Sequence, residues 1–316
     1  MSLTIGIDVG GTKILGGVVD EEGKVLEELR VVSPATDVTA IVAAISRLVA
    51  DLAGRHAVEA VGVGAAGYID KARSVVMFAP NLAWRDLDLR AELEASVGIP
   101  FVIENDANAA AWGEFRYGAG EDVEDLLLVT VGTGVGGGLV HDGRLFRGGY
   151  GVGGEVGHMR VVPDGVPCGC GNLGCLESYA SGTALVREAR AAASTGAPLA
   201  GTLLDRAGGD PASITGPLIT ECARAGDPFC VEQLARLGTW LGEGIASAAA
   251  LLDPGVVVIG GGVSAAGDLL LDPVRAAFER QLTGRGHRPL AEVRPALLGN
   301  RAGLIGAADL ARHPVS

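Results

Sequence analysis

Positive charge is scarce in this chain: 25 lysines and arginines stand against 38 aspartates and glutamates over 316 residues, a formal net charge of -13. Nucleic-acid binders work through clustered Lys and Arg that release counterions, so neither a nucleic acid nor an anionic membrane is an expected partner. Long apolar runs are also missing, and none approaches the roughly 20 residues of a membrane span. The opening residues, Met-Ser-Leu-Thr-Ile-Gly-Ile-Asp, have neither the cationic stretch nor the apolar core of a leader peptide. No segment is of low complexity or built as a flexible linker. Cysteine is sparse, five in all, and free thiols suit a reducing compartment. A soluble cytoplasmic protein is expected. The 48 % hydrophobic and 20 % charged composition is that of a globular chain, and the length favours two domains.

Glycine is what the chain has in plenty. The 50 glycines are neither periodic nor gathered into a linker, and many close apolar runs, which indicates tight turns and backbone close to ligands. Leu3–Val9 reads as a strand turned by Gly10-Gly11, followed by strands over Lys13–Val19 and Lys24–Val32. A helix with Asp37 as N-cap runs to Ala53, Val58–Gly64 is a buried strand, and a helix follows from about Leu87 to Val97. Ile99–Ile103 is a strand ending in Glu104-Asn105-Asp106, at the mouth of an Ala-rich helix. The opening plan then recurs: strand Asp125–Val131, a Gly132-Thr133-Gly134 turn, and a returning strand to His141. Helices are expected at 184–193, 229–252, 273–282 and from 302, strands at 256–259 and 292–298, and loop over 194–198 and 201–216. Two related α/β halves with a ligand cleft between them are inferred.

The segment from Glu155 to Glu177 places His158, Cys168, Cys170 and Cys175 within eighteen positions. A tetrahedral Cys3His zinc site would use all four and leave no open coordination position, so its purpose would be to hold Glu155, His158 and Glu177 around a polar ligand. A disulfide, a histidine-ligated iron–sulfur cluster and simply buried thiols are the competing readings, although a Cys-x-Cys bridge is strained and three thiols leave one unpaired. Cys222 and Cys230 lie in apolar-patterned stretches and read as inert.

Three stretches match G-x-G-x-x-G, beginning at Gly62, Gly132 and Gly149. In a glycine-rich chain that is weak, and the first two lead into extended segments rather than a helix, against nicotinamide binding. A P-loop is absent. Asp8-Val-Gly-Gly-Thr-Lys13 and Val131-Gly-Thr-Gly-Val-Gly-Gly-Gly138 are either ordinary tight hairpins or turns whose backbone N–H groups cradle phosphate. Their recurrence favours phosphate. Asp106 could be a mere helix N-cap, yet it ends a strand beside an asparagine able to donate and accept, which suits a polyhydroxylated substrate. Phosphoryl transfer to an alcohol would give Asp106 the hydroxyl proton, with Lys13 and the turn amides neutralising phosphate charge.

These motifs, with Glu104-Asn-Asp-Ala-Asn-Ala109, Gly154-Glu-Val-Gly-His158 and Cys168-Gly-Cys-Gly-Asn-Leu-Gly-Cys175-Leu-Glu177, resemble in order and over the whole chain the ROK family of repressors, open reading frames and sugar kinases. Within it the bacterial glucokinases are most similar. The resemblance implies an actin-like, ribonuclease-H-like ATPase fold of two α/β domains, here residues 1–107 with 303–316, and 108–302 bearing the zinc segment. It implies ATP-dependent phosphorylation of the glucose 6-hydroxyl with Asp106 as general base, while another hexose or a non-catalytic sugar sensor stays open. Asn81, Asn105, Glu155, His158, Glu177 and the Gly64–Gly67 loop would bind sugar. Gly10, Gly11, Thr12 and Lys13 would form one phosphate loop, Thr133 and Gly134 the other, and Gly260, Gly261 and Gly262 the adenosine side. Mg2+ would accompany ATP near Asp8, and zinc would be structural. A homodimer or homotetramer is implied. The family's repressors carry a helix-turn-helix segment before the kinase core; here the first strand begins at about residue 3, so a DNA-binding regulator is not expected.

Overall fold

The computed structural model describes residues 2–79 and 82–313. Met1–Leu128, Gly137–Glu155 and Ala296–Ser316 form one compact unit, and Val129–Gly136 with Val156–Pro295 form another.

The first unit is built on a five-stranded sheet. Strands β1 (Leu3–Val9), β2 (Lys13–Val19) and β3 (Val25–Val32) make the expected antiparallel meander, with Asp8 opposite Leu15. Helix α1 (Val38–Ala53) starts where Asp37 accepts a hydrogen bond from the Ala40 N–H, and its Ile41, Ile45, Leu48, Val49 and Leu52 recur at helical spacing, all buried. They pack against Ile5, Ile7 and Val9. Strand β4 (Val58–Ala65) runs parallel to β1 and sets Gly64 beside Asp8.

A small antiparallel sheet follows, β5 (Tyr68–Ile69), β6 (Val75–Phe78) and β7 (Arg85–Asp88). It was not expected, and it delays helix α2 to Leu89–Val97, because residues 85–88 pair with β6 instead of opening the helix. Strand β8 (Phe101–Asn105) lies parallel to β4, with Asn105 beside Ala65, giving the order β3-β2-β1-β4-β8. Asp8, Gly64 and Asn105 therefore share the carboxyl edge of three parallel strands, where open α/β sheets bind ligands. Helix α3 (Asp106–Tyr117) leaves from that edge.

The second sheet has the order β11 (Arg144–Phe146), β10 (Val135–His141), β9 (Leu126–Val131), β12 (Val256–Gly260) and β13 (Glu292–Pro295). The segment expected to be loop over 201–216 is partly helical. After α4 (Glu177–Ala180) and α5 (Gly182–Ser194) come α6 (Gly201–Arg206) and α7 (Gly216–Arg224), the latter capped by Thr215 with Pro217 in its first turn. Helix α8 (Pro228–Leu252) leads to β12 (Val256–Gly260). Helix α9 spans Asp268–Gln281 and takes Pro273 inside it, so the proline does not mark the start that the sequence suggested. Strand β13 (Glu292–Pro295) stops at a proline that cannot donate to a ladder, short of the expected Leu298.

Helix α10 (Ala302–Arg312) returns to the first unit and covers the face of its sheet opposite α1, with Leu304, Ile305 and Ala308 on Leu15 and Val19. The approach is closer than any side chain would permit: a β-carbon on Gly6 would lie 1.9 Å from the Leu304 carbonyl oxygen, and one on Gly62 1.8 Å from that of Ala307. Several of the abundant glycines thus serve helix-on-sheet packing rather than turns.

Candidate active site

In the first unit the phosphate-loop and sugar-loop candidates meet at one strand edge. The turn after β1 closes through a 3.0 Å hydrogen bond from the Gly10 N–H to the Lys13 carbonyl. Asp8 precedes this turn half-buried, and its pKa is raised to about 7, first by loss of solvent, then by the nearby Asp106 carboxylate, with Lys13 pulling it down. Loss of solvent likewise raises the pKa of Asp106, against hydrogen bonds from the Ala107 N–H and the Asn105 side chain. Two carboxylates crowded against one ammonium form a place where a divalent cation would relieve charge repulsion, so the residues fit Mg2+.

The capping question is answered by Asn105. Its Oδ1 accepts from the Asn108 N–H at 3.0 Å and so caps α3. Asp106 is left as the first helical residue, next to the positive end of the helix dipole, which favours its ionised form. The Asn105 amide donates to the Gly67 carbonyl at 3.1 Å and thereby fixes the glycine loop beside Asp106. Glu155 ends the Gly148–Gly154 loop of the same unit, half-buried, and Gly151 and Gly154 there take φ values of 93° and 96°. Asn81 lies outside the described residues.

The second unit holds the Cys3His cluster. The ligand atoms of His158, Cys168, Cys170 and Cys175 all lie within 4.8 Å of one another. Cys168 Sγ is 3.6 Å from His158 Nδ1, and Cys170 Sγ is 3.7 Å from Cys175 Sγ. A tetrahedron with Zn–S bonds of about 2.3 Å has edges of about 3.8 Å, so the donors already stand at zinc-binding separations. All five cysteines are free, which removes the disulfide reading. The isolated antiparallel bridges Arg160↔Cys175 and Pro167↔Leu173 draw the ligands together. The histidine turns Nδ1 toward the thiols.

Glu177, expected at the sugar, spans two features of this unit. Its Oε1 accepts from Cys168 Sγ at 3.1 Å and its Oε2 from the Val135 N–H at 3.2 Å, so the metal loop reaches the second glycine turn. That turn closes by a 2.9 Å bond from the Gly132 N–H to the Gly134 carbonyl. Gly261, at φ 85°, packs so tightly on β9 that a β-carbon would lie 2.5 Å from the Val131 carbonyl oxygen. The Gly260–Gly262 segment is thereby brought against the turn.

A cavity of about 550 Å³ opens beside Thr133, lined also by Gly182, Thr183, Val186, Arg187, Arg190 and Gly216. The amino end of α5 faces it: Ser181 caps the helix, the Gly182 N–H donates to the Gly132 carbonyl at 2.8 Å, and Thr183 Oγ1 to the Thr133 carbonyl at 2.7 Å. Helix amino ends attract phosphate. Reading the sequence for helices started α5 at Ala184 and missed these residues, although Ser181-Gly-Thr is a capping signal that could have revealed them.

Comparison with known proteins follows the same outline. The ROK family model matches residues 4–313. The glucokinase of Streptomyces coelicolor is 50 % identical over 314 residues, covering 99 % of each chain. The crystal structure of a ROK family glucokinase from Streptomyces griseus in complex with glucose and AMPPNP superposes with a TM-score of 0.91 at 52 % identity, covering 98 % of this chain and 99 % of that one. The ROK hexokinase of Thermus thermophilus gives a TM-score of 0.81 at 37 % identity, covering 98 % of each chain.

Proposed function

The chain belongs to the ROK family and has its actin-like two-unit α/β fold, and from that premise we propose the way its residues carry out glucose phosphorylation. The protein is an ATP-dependent glucokinase, transferring the γ-phosphoryl group to the 6-hydroxyl of glucose. The observation that carries the residue assignment is Asp106: a half-buried carboxylate with a raised pKa at a strand's carboxyl end, relieved of capping duty by Asn105. Such a group is a stronger base than an exposed aspartate, as removal of the hydroxyl proton requires.

Asn105, Gly67 and Glu155 of the first unit, and His158 and Glu177 of the second, are assigned to the remaining sugar hydroxyls. The assignment of Asn81 rests on the family resemblance. Lys13 and the amides of residues 10–12 are assigned to the transferring phosphate, and Thr133, Gly134, the amino end of α5 and the Gly260–Gly262 segment to the nucleotide. Asp8 would hold Mg2+ together with the phosphates; when bound, the ion supplies positive charge to the phosphoryl oxygens. His158, Cys168, Cys170 and Cys175 would hold a structural zinc ion. The reading includes assembly into a homodimer or homotetramer in the cytoplasm; among the described residues no helix is long and apolar enough to cross a membrane.

The test is ADP release with ATP and Mg2+ across glucose, mannose, fructose, N-acetylglucosamine and N-acetylmannosamine, with polyphosphate as a second donor, for the native chain and Asp106→Asn. Preference for glucose is expected, with turnover in the variant lowered at least about 100-fold, as for loss of a general base, while glucose still binds by calorimetry. Activity should fall as pH is lowered through the raised pKa of Asp106, hence at a pH above the ordinary 3.8. Near-native turnover of Asp106→Asn would refute its role, and preference for an acetylated sugar would move the substrate assignment.

A further inference from the structure

Arg147 belongs to none of the sequence motifs, yet it is only 9 % exposed, as Arg73 is at 8 %. Guanidinium groups are placed this deep only against strong acceptors. Both meet Glu104, which is 1 % exposed: Arg73 Nε lies 3.1 Å and Arg147 Nε 2.8 Å from its Oε2. The other carboxylate oxygen accepts from Arg147 Nε at 3.1 Å, the Asn105 N–H at 2.9 Å and Asn108 Nδ2 at 3.1 Å. The remaining arms of Arg147 donate to the Lys71 carbonyl at 3.0 Å and the Asp70 carbonyl at 2.9 Å.

One side chain thus joins three segments of the first unit: the end of β8 that presents Asn105 and Asp106, the turn after β5, and its own loop leading through Gly148–Gly154 to Glu155. The loop is seated on the same turn. Its Gly153 N–H donates to the Arg147 carbonyl at 3.0 Å, and a β-carbon on Gly151 would stand 2.6 Å from the Ile69 carbonyl oxygen.

We propose that Arg147 is a positioning residue that holds the Glu155 loop in register with Asn105 and Asp106, with Glu104 as the shared acceptor. The inference rests on the assignment of Glu155 and Asn105 to the sugar. Arg147 itself touches none of the assigned phosphate or nucleotide groups, so its influence should be confined to the acceptor substrate. A planar fork is needed, because one lysine ammonium can neutralise Glu104 but cannot reach the carboxylate and two carbonyls together.

The experiment is steady-state kinetics for glucose and ATP, with thermal melting, on the native enzyme, Arg147→Ala and Arg147→Lys. Arg147→Ala is expected to raise the glucose KM about tenfold or more while the ATP KM stays within about twofold, since misplacement is felt by the substrate whose contacts move. Arg147→Lys should recover most of the lost melting temperature but keep the raised glucose KM, and it carries the test if the alanine variant fails to fold. A native glucose KM in Arg147→Ala, equal loss for both substrates, or full kinetic recovery by lysine would overturn the proposal. A native protein that phosphorylates no hexose would overturn the underlying function and this inference with it, whereas native turnover with an unselective variant overturns the inference alone.

Discussion

Asp8 shows how a single residue trades stability for chemistry. Its ordinary pKa of 3.8 is raised to about 7 in the fold, so between those values the folded chain retains a proton that the unfolded chain has released. Linkage then makes stability fall as pH rises through this window, with the full penalty present above it. Asp8→Asn, melted without Mg2+, should therefore gain more in Tm over the native chain at pH 8 than at pH 5, while losing most of its turnover. Equal gains at the two pH values would show that Asp8 is not held against its charge. At this scale Asp106 was legible because Glu-Asn-Asp closes a strand, whereas whether it merely capped the helix could be answered only by the Asn105 side chain turning to the Asn108 amide. Arg147 was illegible, because an arginine after a short strand in a glycine-rich loop reads as an ordinary solvated charge, and its partners Glu104, Asp70 and Lys71 are 43 to 77 positions away.

Among the elements, the segment from His158 to Glu177 has little regular structure to hold it. Between the short 3-10 turn ending at His158 and α4, only isolated bridges shape it, so the metal must supply what helices and ladders supply elsewhere; structural zinc is worth about 10 to 16 kcal/mol in small domains. The enzyme as purified should contain one zinc ion per chain by elemental analysis. Cys175→Ser should lose that zinc and raise the glucose KM with little change in far-UV circular dichroism, because the helices lie outside the loop. Active protein free of zinc would sink this role. The ligand spacing itself was plain in the sequence, being local. The cap of α5 was missed because helical periodicity registers apolar residues and passes over a Gly-Thr beginning, and the small sheet β5-β6-β7 was missed because strands of two to four residues carry no period.

For the whole molecule, a net charge of -13 makes copies of the chain repel one another. The proposed homodimer or homotetramer must overcome that repulsion, so its association should strengthen as salt screens it. Light scattering at micromolar concentration should give two or four times the mass of one chain, with dissociation favoured at low ionic strength; a single-chain mass at every salt concentration would exclude the assembly. The sequence by itself determined the strand-turn-strand plan of both halves, the Cys3His cluster and the strand-end acid, because periodicity, turn glycines and ligand spacing act over a few residues. Only the tertiary structure decided that α10 lies bare against Gly6 and Gly62, that burial and the nearby Asp106 carboxylate raise the pKa of Asp8, and that Glu104 is shared by two buried arginines. Those outcomes depend on which distant residues a fold brings within a few ångströms, and on how much water it leaves between them.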